Sequence, residues 1–78
     1  MRKASYHFNI VFRPEPEGGF TVVVPALPGC VSYGRDLSEA QEMATDAISA
    51  YLKSVRKHRG DIVSDENSFI SSVDVAYA

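Results

Sequence analysis

Between residues 6 and 12 the side chains alternate: Tyr6, Phe8, Ile10 and Phe12 fall on one side of an extended chain, and His7, Asn9 and Val11 on the other. That period of two marks a strand with one face against a core. The stretch RPEPEGG, residues 13–19, then breaks the ladder with two prolines and frees the backbone with two glycines. Residues 20–24 are therefore expected to return antiparallel as the second arm of a hairpin. In PALPG, residues 25–29, two prolines fix φ and remove backbone donors. Such a connection is short and stiff, and it sets the register of a third strand over residues 30–33, which Gly34 ends.

The period changes after Gly34. Asp36 precedes Glu39 by three residues, the pattern of a helix N-cap with its capping-box partner. Leu37, Ala40, Met43, Ala44, Ala47, Ile48, Tyr51, Leu52 and Val55 recur at intervals of three and four and form one apolar stripe. Glu39, Glu42 and Asp46 precede Lys53, Arg56, Lys57 and Arg59, the order a helix dipole favours, and Gly60 is the expected stop. A polar linker follows, and residues 69–78 alternate again as a fourth strand. The expected fold is therefore a two-layer α+β domain of order β-β-β-α-β. Its antiparallel meander carries one helix on one face and nothing on the other, and a right-handed crossover leads to the last strand.

Composition narrows the function more than the fold. A chain of 78 residues is a single domain, 1–78, and one this small buries only roughly 60% of the surface its unfolded chain exposes. Association into a homo-oligomer, dimer or tetramer, through an open sheet edge is expected on that ground. The net charge of −2 offers no overall field for a polyanion, although Lys53, Arg56, Lys57 and Arg59 are locally basic. A lone cysteine cannot form an internal disulfide, and no segment resembles a signal peptide or a membrane span, so the expected location is cytoplasmic.

Catalytic constellations are hard to find. His7 and His58 lack a partner at metal-ligand spacing, and Cys30 has only Gly29 and Val31 beside it, so it reads as a small buried apolar side chain. Glu39, Glu42 and Asp46 share a helical face, where lying toward solvent explains them as well as gathering a divalent cation does. There is no nucleophile elbow, phosphate loop or CxxC pair. The chain is expected to be no enzyme and to need no cofactor. A bare sheet face, open edges and stiff loops suit protein contact instead.

One stretch carries a specific likeness. GGFTVVVPALPGCVSYGRDLSEAQEMATDAISAYL, residues 18–52, resembles the HicB antitoxin family. The likeness lies in the glycine-aromatic pair Gly19-Phe20, the P-x-L-P-G-C run of Pro25, Leu27, Pro28, Gly29 and Cys30, the following Gly34, and the helix start at Asp36, Glu39 and Ala40. With the flanking strands the resemblance spans nearly the whole chain. It implies a partial RNase H-like fold without catalytic carboxylates. It also implies an antitoxin that buries the active site of a HicA-like toxin, a small basic protein that cleaves mRNA with a histidine. Many members add a C-terminal DNA-binding segment; this chain ends directly after its last expected strand, a short form in which direct DNA binding is not expected.

On this reading the sheet and the acidic hairpin cover a basic partner, and Glu15, Glu17, Tyr33 and Arg35 are the candidate contact residues. Another class of function is a solitary RNase H-like oligomer holding nucleic acid through Lys53, Arg56, Lys57 and Arg59 brought together by symmetry. A third is a residual Mg²⁺ nuclease using Asp36, Glu39, Glu42 and Asp46.

Overall fold

Phe20, Thr21, Val22 and Val23 are aromatic or β-branched, which suits a pleated surface with a covered face. In the computed structural model, which describes residues 5–77, they form the central strand β2 (Phe20–Val23) of a three-stranded antiparallel sheet. Strands β1 (Val11–Pro14) and β3 (Val31–Gly34) flank it. Pairing Val11 with Val23 and Val23 with Val31 fixes two sets of rows. Phe12, Val22 and Ser32 face the helix, whereas Val11, Val23 and Val31, and next to them Arg13, Thr21 and Tyr33, face the other way.

The PALPG stretch owes its stiffness to two β-turns placed back to back. Leu27 N–H donates to Val24 O at 3.0 Å, with Pro25 at the first inner position. Cys30 N–H donates to Leu27 O at 3.0 Å, with Pro28 and then Gly29 inside, and Gly29 has the positive φ of 81° that its place in such a turn requires. Val24 N–H to Cys30 O, 3.1 Å, closes the loop. The two turns point Val24, Leu27 and Cys30 inward as one buried cluster against Phe8, Ile48 and Tyr51. Beside it, Val22, Ala40 and Ala44 pack with Ile10, Phe12 and Phe20.

Helix α1 (Leu37–Lys57) has 21 residues, roughly 31 Å at 1.5 Å per residue. Asp36 caps it, accepting from Glu39 N–H at 2.8 Å. The Glu39 carboxylate reaches back one residue further than a standard capping box, to Arg35 N–H at 3.0 Å. Its first turn sits directly on Gly34, where a Cβ would collide with the Ala40 backbone. At the other end Arg59 N–H donates to Arg56 O and Gly60 N–H to Val55 O, a Schellman closure. The left-handed residue of that closure is Arg59, φ 59°, one position before the expected glycine stop. Of the expected apolar stripe, Ala40 and Ala44 are buried and Leu37 and Met43 are exposed.

The α+β arrangement of a meander with one helix on one face is as expected, but one boundary and one element are corrected. Strand β1 begins at Val11 and not at Tyr6, because β2 has no partner to offer further back. The register places Pro25 opposite Asn9, and Pro25 lacks an N–H and turns away. The vacated groups are taken up by the linker. His7 N–H donates to Ser64 Oγ at 2.8 Å, Asp65 N–H to His7 O at 2.6 Å, and Asn9 N–H to Asp65 Oδ2 at 3.3 Å. Among the described residues there is no fourth strand, since residues 69–77 form no ladder. A clasp, the turn fastened to Asn9 at Asp65 and Ser68, directs them off the sheet. Phe69, Val73, Val75 and Tyr77 are 81–98% exposed.

Candidate functional site

Two polar surfaces lie at opposite ends of the helix. At the end where α1 starts, the β1–β2 hairpin is closed by Glu15 N–H to Gly19 O, 3.0 Å, and Gly18 N–H to Glu15 O, 2.9 Å, with Gly18 and Gly19 both at positive φ. The Glu15 carboxylate is tied across to Thr21, whose hydroxyl donates to Oε1 at 2.5 Å. Tyr33 crosses the hairpin from β3 and donates to Gly18 O at 2.9 Å. Its ring covers Gly19 so closely that any Cβ there would fall on it. Glu15 and Tyr33 therefore have fixed positions, while Glu17 stands exposed in the turn.

Arg35 follows β3 at the same end of the sheet and turns toward the helix. Its Nε lies 3.3 Å from Glu39 Oε2. The structure thus gathers Glu15, Glu17 and Tyr33 around one hairpin and engages Arg35 with the helix cap. Glu15, Glu17, Asp36, Glu39 and Glu42 make this end acidic despite Arg13 and Arg35. Beside it the uncovered sheet face carries Val11, Val31 and Tyr33, each 40–55% exposed.

The basic group is at the far end of α1. Lys53, Arg56, Lys57 and Arg59 are all exposed, with Lys53, Arg56 and Lys57 on one side of the last turns. Arg56 and Lys57 complement the helix C-terminus. His58 closes it, with its ring Nδ1 2.8 Å from Ser54 O. The acidic group proposed for Mg²⁺ does not converge. Asp36 and Glu39 are committed to the helix cap, Glu42 and Asp46 are exposed, and no group of three His, Cys, Asp or Glu among the described residues is placed to hold a metal ion. Cys30 is buried, and burial pushes its thiol up from the ordinary value, away from thiolate reactivity.

Asp65 is the buried polar side chain that the sequence pattern concealed. It lies in a linker expected to be merely polar, yet it is the buried charged residue of the described chain. Its carboxyl is held below its ordinary value chiefly by the Ser68 hydroxyl, and then by the backbone and side-chain amides of Asn9; partial burial opposes them. Asn9 Nδ2 donates to Asp65 Oδ2 at 3.0 Å and to Ser68 O at 2.9 Å. The signal was the run Ser64, Asp65, Asn67, Ser68, residue types that fold a turn on their own side chains.

Against this geometry the comparisons with known proteins are consistent with one another. A family model described as "HicB_like antitoxin of bacterial toxin-antitoxin system" matches residues 8–75. A UPF0150 protein of Thermoplasma acidophilum is 36% identical over 58 residues, 74% of this chain and 84% of that protein. One from Helicobacter pylori is 36% identical over 62 residues, 80% of this chain and 86% of its own. One from Archaeoglobus fulgidus is 39% identical over 54 residues, 69% and 77% of the two chains. No helix among the described residues is long and apolar enough to cross a membrane.

Proposed function

Because this chain belongs to the HicB-like antitoxin family of bacterial toxin–antitoxin systems, we propose that it neutralises a small HicA-like mRNA-cleaving toxin by covering its active site. It acts by binding and not by catalysis, in the cytoplasm. The observation that carries this reading beyond the family is the hairpin end of the sheet. There Glu15 and Tyr33 are immobilised by hydrogen bonds, Glu17 is free, and an uncovered face with exposed Val11 and Val31 adjoins them. An acidic, partly apolar and rigid surface is the complement of a basic ribonuclease face, because charge steers the encounter and the fixed side chains lose little freedom on docking.

The test starts with this chain as bait in its own cells at physiological salt. A small basic histidine-containing protein retained in stoichiometric amount is the expected result. Replacing Glu15 and Glu17 by lysine should then weaken the complex about tenfold and flatten its salt dependence. Recovery of the bait alone, with RNA retarded by the pure protein until Lys53, Arg56, Lys57 and Arg59 are neutralised, would replace this reading with a nucleic-acid-binding one.

A further inference from the structure

We propose that residues 69–77 form the edge strand of a second copy of this chain, added to the outer edge of β1 with their apolar side chains in the groove between that edge and α1. The first support is the segment itself. Phe69, Val73, Val75 and Tyr77 lie on one side of the alternation and are almost wholly exposed. The described chain has a radius of gyration of 14.9 Å and a long axis of 54 Å, against about 11.5 Å expected for the radius of a compact domain of this length. An apolar arm carried away from its own core in this way is a surface that a second molecule covers. The family match runs on to residue 75, so the arm belongs to the matched unit and is no appendage.

The second support is the receiving edge. Asn9 N–H, the backbone of His7 and Glu15 N–H all point to the β2 side of the strand. Alternation then turns the backbone groups of Phe8, Ile10 and Phe12 outward, where they have no partner among the described residues. Alongside lies a groove of about 330 Å³ whose walls include Tyr6, Phe8 and Ile10 from the strand and Ala44, Ile48 and Leu52 from the helix. It exists because α1 lies over β3 and β2, its Met43 carbonyl accepting from Ser32 Oγ, and overhangs the β1 margin. Nine residues at about 3.3 Å each span roughly 30 Å, enough to run the length of the β1 edge.

The third support is the direction of the arm. Asn9 holds both Asp65 and Ser68 on the β2 side of the strand, and Phe69 and Ile70 continue along Asn9, Pro25 and Ala26. The groove is on the opposite side of the same strand. The arm would have to cross its own β1 extension to fill its own groove, whereas a neighbour's arm enters freely. Reciprocal exchange between two copies satisfies both edges by one twofold operation.

The experiment uses the full chain carrying either Thr45→Cys on the groove wall or Val73→Cys on the arm, the native Cys30 being buried. The expected results are a dimer by sedimentation at micromolar concentration and a disulfide-linked dimer when the two single variants are mixed under mild oxidation. Val73→Asp with Val75→Asp, both exposed in the single chain, should leave its circular dichroism unchanged and weaken the dimer at least tenfold. A monomer at 100 μM overturns the proposal. So does failure of the two mixed single variants to cross-link while a Thr45→Cys, Val73→Cys double variant closes a disulfide within one chain, or a dimer indifferent to the aspartates. Ordering of the arm only on addition of a different protein also overturns it.

Discussion

The β2–β3 connection and the C-terminal arm are both apolar and both lie outside the ladder, yet they end in opposite states. In the connection, three backbone hydrogen bonds close two turns and Val24, Leu27 and Cys30 are buried. In the arm, no backbone group of residues 69–77 finds a backbone partner within the described chain, and the side chains stay in solvent. Apolar content is not what separates them. The connection satisfies its backbone groups locally and so can be buried. The arm alternates like a strand, whose groups are satisfied only by a neighbouring strand, and its own clasp carries it away from the available edge.

The largest expected effect falls where the backbone itself is the packing surface. Gly34→Ala puts a methyl group into the Ala40 backbone and should cost about 3 kcal/mol in urea unfolding, because main chain cannot step aside as a flexible side chain does. Leu27→Ala should cost about 2.5 kcal/mol by removing the centre of the turn cluster. Val63→Ala, a side chain left largely in solvent just before Asp65, should change stability by less than about 0.5 kcal/mol. If the two truncations cost the same, burial is not what distinguishes the turn cluster from the exposed apolar side chains.

A subtler effect comes from the clasp. The Asp65 carboxyl is held below its ordinary value near 3.8 by Ser68 and Asn9. Its contribution is therefore full above that value and is lost as pH falls through the lower folded value. Acidification below pH 4 should speed hydrogen exchange at the Asn9 and Asp65 amides before it affects Val24 or Cys30, whose turns contain no carboxylate. Asp65→Asn should give the fast exchange already at pH 7. Equal protection at all four amides down to global unfolding would show that the clasp is no separate unit.

The same distinction separates what the residue pattern reveals from what it conceals. Local signals were decisive where local bonds decide: the proline-glycine turns, the Asp36 cap and the three-and-four spacing of α1 all stand where the pattern put them. The fourth strand was misplaced because alternation in residues 69–77 reports a capacity for pairing, and pairing is settled by which edge the chain can reach. The clasp was missed because Asn9 and Asp65 are 56 positions apart, and nothing in either neighbourhood announces the other. At the hairpin, acidity at Glu15 and Glu17 was readable, whereas the bond from Tyr33 to Gly18 depends on the β2–β3 register.

Neutralisation of a toxin by covering it is tested at its root by inhibition itself. A small basic HicA-like ribonuclease, if the pull-down recovers one, is given a labelled RNA, and this protein is titrated in. Cleavage should fall to zero at a stoichiometric endpoint, and lysine at positions 15 and 17 should move the midpoint about tenfold higher. Cleavage that continues at large excess of the folded protein would contradict it.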